Sequence, residues 1–260
     1  LDIVPTRIGG GSVTDGSPHR ANLPPLYNRY RRVSNDPTYD RAFDDALVLL
    51  APLHMTSFCI AQQLARKEYY TAEQVVIVSA SSNTSLGLAF ALSQPDDAPE
   101  VSGLTSDRNL DFVAGVGLYD AAVAYGDVAG SLAQRRTVVV DMAGNAAVAA
   151  ALRERLDDRL EYYINVGITH WDEVGSGLGV GGDPSRVEFF FAPSFILELV
   201  EDWGAAEYDR RSNEFLTASA MATFGWMQVD HRKGLAGLAE VYGDVCAGTI
   251  SPAVGVVVTP

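Results

Sequence analysis

The chain has little of what several large classes of protein require. Cysteine appears twice in 260 residues, at Cys59 and Cys246. The two lie far apart inside apolar segments, which excludes a disulfide-stapled scaffold and reads as buried free thiols in a reducing compartment. Histidine appears four times, scattered along the chain. Neither residue falls into the spacing a zinc site needs, so no metal is expected. Cations are scarce, with 19 Lys and Arg against 33 Asp and Glu, for a net charge of −14. Such a surface repels nucleic acid and anionic membranes. No apolar run reaches the length of a membrane span. No G-x-S-x-G follows a strand pattern, against a serine hydrolase, and no G-x-x-x-x-G-K-[ST] is present, against a P-loop. No internal repeat is evident. No signal peptide is visible and residue 1 is Leu, so a cytoplasmic location is expected. The chain opens directly in an extended apolar segment, as if an amino-terminal piece lay outside it.

What is present is material for a core. Hydrophobic residues make up 47% of the chain, enough for one large α/β domain or one domain with an appendage. Residues 74–109 organise the rest. Val75-Val76-Ile77-Val78 is apolar and β-branched, as a strand buried on both faces should be. The small, hydroxylated segment Ser79-Ala80-Ser81-Ser82-Asn83-Thr84-Ser85-Leu86-Gly87 feeds a helix. A second short strand ends in Thr105-Ser106-Asp107-Arg108-Asn109. This is a βαβ unit with a polar loop at the carboxyl end of its first strand, where open α/β sheets bind ligands.

The chemistry of that loop suits phosphate. A helix amino terminus offers unpaired N–H groups and partial positive charge. Ser81, Ser82, Thr84 and Ser85 add hydroxyl donors, and Gly87 would let the first helical turn lie close to the strand. Of the glycines in G-x-G-x-x-G only the last is here, so a serine-capped helix after a core strand explains the same residues equally well. The second strand end adds Thr105, Ser106, Arg108 and Asn109. Two hydroxyls and a guanidinium suit the 2′-phosphate of NADP, whereas NAD is held by an acidic residue. Asp107 sits among them and could face away. The alternative for Arg108 is a solvated loop arginine.

The remaining chain alternates strand and helix, which implies a doubly wound parallel sheet of Rossmann type. Strands are expected at residues 1–8, 121–125, 137–141, 162–167, 187–191 and 254–258, the last with no obvious partner. Helices are expected at 53–66, 110–115, 146–156, 194–203, 213–227 and 235–246. Residues 12–37 show little periodicity and hold an aromatic and basic cluster of Tyr27, Arg29, Tyr30, Arg31 and Arg32. The cluster could wrap an anion, but bracing a surface is the plainer role. The glycine run 175–182 is followed by Asp183-Pro184 and a strand rather than a helix. It is a flexible loop and a candidate lid, not a phosphate loop.

Several stretches carry a resemblance. Residues 53–66 match in place the helix beneath the nicotinamide in the medium-chain dehydrogenase/reductase superfamily. Gly115-Val116-Gly117-Leu118-Tyr119-Asp120-Ala121-Ala122-Val123-Ala124-Tyr125 and Gly248-Thr249-Ile250-Ser251-Pro252 look like two of its signature turns. From about Leu50 onward the chain resembles the zinc-free, quinone oxidoreductase-like branch. Residues 15–30, Ser79-Ala80-Ser81-Ser82 and Leu104-Thr105-Ser106-Asp107-Arg108-Asn109 are similar to a domain-of-unknown-function family within it. The resemblance implies pyrophosphate at Ser82, Thr84, Ser85 and Gly87, and the 2′-phosphate at Ser106 and Arg108. It implies Tyr125 near the adenosine, and Gly144, Asn145, Gly167 and Thr169 beside the nicotinamide ribose. It further implies three regions. Residues 1–50 would be an irregular, partly GroES-like segment, 51–247 the dinucleotide-binding domain, and 248–260 a return to a GroES-like domain of which only remnants are present.

The function so implied is NADP(H)-dependent hydride transfer to or from a small carbonyl, enone or quinone-like substrate, without zinc. Tyr27, His19 and His54 are the candidate proton donors, with Tyr27 first. A catalytically idle NADP(H)-binding redox sensor or assembly component remains an alternative. So does a methyltransferase on a related fold. A homodimer is left open.

Overall fold

Short strands joined by tight turns build the first of two compact units, Leu1–Asp45. The computed structural model describes residues 3–35, 39–166 and 184–260. Strands β1 (Pro5–Gly9), β2 (Ser12–Asp15) and β3 (Arg29–Arg31) form an antiparallel sheet in that order. Gly10 and Gly11, at φ +56° and +73°, supply the two-residue turn between β1 and β2. Left-handed geometry at both turn residues matches the twist of a hairpin and favours glycine. Buried Asp15 holds the end of β2 by accepting from the N–H of Val4 and from the N–H and hydroxyl of Ser17. These bonds, that from the Ser17 hydroxyl first, lower its pKa below the ordinary carboxylate value. The expectation that residues 12–37 are irregular is therefore corrected. Two strands come from this stretch, but at four and three residues they are too short to show alternation.

The second unit, Ala46–Pro260, is organised by one parallel sheet. A short helix α1 (Asp44–Leu49) leads into α2 (Ala51–Arg66) and then into β4 (Gln74–Val78). Next come α3 (Asn83–Leu92), β5 (Glu100–Thr105), α4 (Leu110–Gly115), β6 (Ala121–Ala124) and α5 (Val128–Ser131). The second half runs β7 (Thr137–Asp141), α6 (Ala146–Leu156), β8 (Leu160–Val166) and β9 (Val187–Phe190). The six strands lie in the order β6-β5-β4-β7-β8-β9, all parallel. Chain order reverses between β4 and β7, so the crevice beyond their carboxyl ends is the topological switch point of a doubly wound sheet.

Strand alternation sorts the core into two layers. Val75 and Ile77 join Phe58, Leu64, Leu88 and Leu199 from α2, α3 and the later helix α7 (Ala192–Trp203). Val76 and Val78 join Val128, Val148 and Leu152 from α5 and α6 on the other face. Burying each such side chain contributes about 1.5–3 kcal/mol. The amino ends of three strands are cross-linked by buried Gln74. Its amide donates to Thr137 Oγ1 at 3.0 Å and its carbonyl accepts from Ser102 Oγ at 3.2 Å.

Between α2 and β4 the chain makes a left-handed turn. Glu68, Tyr69, Tyr70 and Thr71 all have φ between +48° and +59°. For non-glycine residues each such conformation costs roughly 1–2 kcal/mol. The Tyr70 ring stacks on Tyr162 of β8 at 4.0 Å, which helps to hold the turn.

The rest of the unit is α7, α8 (Ala205–Thr223), β10 (Gln228–Lys233), α9 (Gly234–Ala247) and β11 (Val254–Thr259). The closing strand, which had no obvious partner in the sequence, pairs in parallel with β10. β10 itself went unseen because Gln-Val-Asp-His-Arg-Lys holds a single apolar residue. The expected helix over 213–227 starts earlier, at Ala205, and ends at Thr223. Cys59 is buried as expected, and burial pushes its thiol up to about 12. Cys246 is exposed on α9, which corrects the expectation of two buried thiols.

Gly103 in the middle of β5 has no room for a side chain. A Cβ there would lie 2.8 Å from the Tyr119 ring and 2.9 Å from Ala80 Cβ. Gly103→Val is expected to destabilise the second unit by about 1–3 kcal/mol through overpacking, read as a lower thermal midpoint with no change in far-ultraviolet circular dichroism at low temperature.

Candidate functional site

The turn after β4 is set by backbone geometry before any side chain acts. Ser79 takes φ +65°, a left-handed conformation that serine adopts at a cost and glycine adopts freely. Three bonds fix the turn. The N–H of Ser82 donates to the Ser79 carbonyl at 2.9 Å, and that of Ala80 to the Leu104 carbonyl at 2.9 Å. The Tyr119 hydroxyl donates to the Ala80 carbonyl at 2.7 Å.

Helix α3 begins at this turn with Ser82 as its cap. The Ser82 hydroxyl accepts from the Ser85 N–H and donates to the Ser85 hydroxyl at 2.9 Å. Ser85 is fully buried, with its hydroxyl directed to the Val78 carbonyl. Ser82 and Ser85 therefore stabilise the helix start, as capping serines do. Among the described residues, no acceptor meets the N–H groups of Asn83 and Thr84 at the first helical positions.

Gly87 does its work on α2. A Cβ on Gly87 would lie 2.7 Å from Ser57 Oγ and 2.8 Å from His54 Cδ2. The close approach expected toward the strand is thus made to the neighbouring helix. Ser57 Oγ also donates to the Thr84 carbonyl at 2.7 Å, so α2 holds the first turn of α3 directly. His54 is 1% exposed, and its Nδ1 meets Ser219 Oγ of α8 at 2.8 Å. Its Nε2 is buried with no partner among the described residues. Burial lowers the His54 pKa from 6.5 to about 4, so the imidazole is neutral.

The neighbouring strand ends converge on the same turn. After β5, Asn109 Nδ2 donates to Ser81 Oγ at 2.9 Å, and Thr105 Oγ1 lies 3.4 Å from the same oxygen. Ser81, Thr105 and Asn109 are therefore one cluster. Arg108 is exposed, and its guanidinium makes no ion pair or hydrogen bond among the described residues. Ser106 precedes it, half-buried. After β6, the half-buried Tyr125 bonds to Ser79; burial raises its pKa and the Ser79 bonds oppose the rise. After β7, buried Asp141 accepts from the N–H groups of Ala143 and Gly144 and from the Tyr163 hydroxyl at 2.6 Å. This shapes the turn in which Gly144, at φ +62°, faces open space. Asn145 caps α6 through the N–H groups of Ala147 and Val148.

Gly167, Thr169 and the glycine run 175–182 lie outside the described residues. Tyr27 and His19 belong to the first unit and are exposed, Tyr27 by 48%. Among the described residues no group of three His, Cys, Asp or Glu side chains is placed to hold a metal ion. Sequence reasoning missed Ser79, Tyr119, Ser57 and Asp141 as parts of the site. Only Asp141 left a signal, an acidic residue closing an apolar strand.

A family profile described as "Protein of unknown function (DUF2855)" matches residues 1–251. No curated protein matches the chain. Among solved structures, a protein described as an NADPH:quinone reductase from Mesorhizobium loti superposes with a TM-score of 0.55 at 14% identity, over 90% of this chain and 64% of its own. CurA from Vibrio vulnificus, solved with NADPH, gives 0.53 at 13% identity, over 89% of this chain and 68% of its own. A thermostable alcohol dehydrogenase from Pyrobaculum aerophilum gives 0.50 at 16%, over 90% and 60%. The chain spans less than two thirds of the first of these structures.

His54 gives the α2–α3–α8 packing a pH dependence. Its folded pKa of about 4 lies below its ordinary 6.5, so between these values the unfolded chain binds a proton that the folded chain does not. Stability is full above about pH 6.5 and falls as pH drops toward 4, by on the order of 3 kcal/mol at the limit. Urea midpoints measured from pH 7 to 4 should therefore fall less steeply in His54→Gln than in the unaltered chain. Parallel slopes would remove the assignment.

Proposed function

We propose that this chain is an NADP(H)-dependent oxidoreductase; it belongs to the DUF2855 family, and its fold is the one medium-chain dehydrogenases/reductases share. One observation carries the proposal. At the switch point, the α3 amino terminus and the loop bearing Arg108 are joined by the Asn109–Ser81 hydrogen bond. A pyrophosphate and a 2′-phosphate of one nucleotide would thus meet prearranged partners.

The residues present fit such a cofactor. Asn83 and Thr84 offer backbone N–H groups at a helix start, with partial positive charge behind them. Ser81 and Ser82 stand at the same turn, and Ser85 and Gly87 support it from within. Ser106 and Arg108 would take the 2′-phosphate, and Tyr125 would border the adenosine. Gly144 and Asn145, with Gly167 and Thr169, would flank the nicotinamide ribose. When bound, the cofactor supplies or accepts the hydride, and the protein orients it and excludes water. The substrate class is a small carbonyl, enone or quinone, with no zinc taking part. We read Tyr27 as the proton donor, and residues 1–50 together with 248–260 as the part corresponding to a GroES-like domain. NADP(H) names on two related folds, in CurA and the Mesorhizobium loti protein, support the choice of cofactor.

A second reading, an idle NADP(H)-binding redox sensor, is favoured by one feature. The hydroxyls of Tyr119, Tyr125 and Tyr163 along the carboxyl edge are all engaged within the protein. NADPH oxidation against a panel of quinones, enals and enoyl thioesters separates the two. Turnover supports the enzyme, and tight binding without turnover on any of them supports the sensor. Arg108→Ala is expected to weaken NADP binding by roughly 10- to 100-fold, the worth of a charge-assisted contact, and to leave NAD binding nearly unchanged. Equal losses for the two nucleotides would sink the 2′-phosphate assignment.

A further inference from the structure

The loop that carries Arg108 rests against the β10–α9–β11 segment at two places. The Phe112 ring of α4 meets the Trp226 ring edge-on at 5.3 Å, just before β10. The second place is Gly248, the residue that closes α9. A Cβ built on Gly248 would lie 3.7 Å from Arg108 Nη2, the nearest heavy atom to it. Gly248 has φ +61°, and its N–H donates to the Val245 carbonyl at 3.1 Å. The next N–H, of Thr249, donates to the Asp244 carbonyl at 3.0 Å. These two bonds are a complete Schellman closure, which fixes the last turn of the helix. The carboxyl end of α9 carries partial negative charge, and a guanidinium beside it is favoured.

We propose that Gly248 is a specificity-determining residue for the 2′-phosphate end of the site. This rests on the cofactor reading given above. The carboxyl end of α9 lies beside the Arg108 guanidinium, and the bare glycine leaves the guanidinium open to an incoming phosphate. A carboxylate at residue 248 would occupy the guanidinium and repel a phosphate dianion, while a 2′-hydroxyl would be indifferent to it. Preference for NADP over NAD, carried by Arg108, therefore also depends on a residue outside the strand-end loop.

The experiment compares the unaltered chain, Gly248→Asp and Gly248→Asn by calorimetric titration with NADP and with NAD. Asn and Asp both tolerate the left-handed conformation, so the pair differs mainly in charge. Gly248→Asp should lose about tenfold in NADP affinity, equivalent to a modest electrostatic contact, with NAD affinity changed less than about threefold. Gly248→Asn should keep most NADP affinity. The loss in Gly248→Asp should shrink between low and high salt, as exposed charges are screened. Equal effects of Asp and Asn, or equal losses for both nucleotides, would overturn the proposal while leaving the cofactor reading intact. An unaltered chain that binds neither nucleotide would remove the cofactor reading, and this inference with it.

Discussion

The structure depends on how the chain leaves its central strand. β4 is covered on both faces, so the residue after Val78 must carry the chain out of the sheet and into a helix within a few residues. Ser79 does this in a left-handed conformation, and three neighbours make that conformation worth keeping. Leu104 and Tyr119 hold Ala80, and Tyr125 holds Ser79. Each of these partners comes from β5, from the segment between β5 and β6, or from the residue just after β6. The carboxyl edge of the sheet is therefore braced, because adjacent strand ends hold one another, as preorganised sites on α/β sheets require.

Helix α3 is set from behind as well as from the front. Its glycine and the Thr84 carbonyl bear on α2, and α2 is tied through His54 to α8. One link in this chain is incomplete, since His54 Nε2 is buried without a partner among the described residues. An unpaired buried nitrogen costs about 1–3 kcal/mol. The neutral imidazole lowers that cost relative to a charged one, which is the physical content of its depressed pKa.

The centre of the sheet was legible in the sequence because its inner strands are buried on both faces. Val75–Val78 and Val138–Val140 are continuous apolar runs, and no other element class fits runs that short between turn residues. Helices α4 and α6 were legible to the residue, since Leu110–Gly115 and Ala146–Leu156 have clear stops. β10 was not, because its pairing with β11 rests on backbone bonds and its side chains are mostly polar. In the first unit β1 overlaps the strand expected at residues 1–8, but β2 and β3 were opaque because they are too short for a period to register. For the site, residue types at the loops could be read, but not their partners. Nothing in the sequence says that Ser81 meets Asn109, that Gly87 faces a helix rather than a strand, or that Gly248 lies beside Arg108. Those are facts of tertiary packing between segments 28 to 140 residues apart.

The left-handed turn at Glu68–Thr71 lies at the amino-terminal edge of the sheet, opposite the strand ends that build the site. Its stored strain makes it a weak seam in the fold, and the amides flanking it are where solvent hydrogen should enter first. Opening there would fray the entry to β4 while the far rim keeps its bonds. The molecule can thus breathe at one end without loosening its grip at the other.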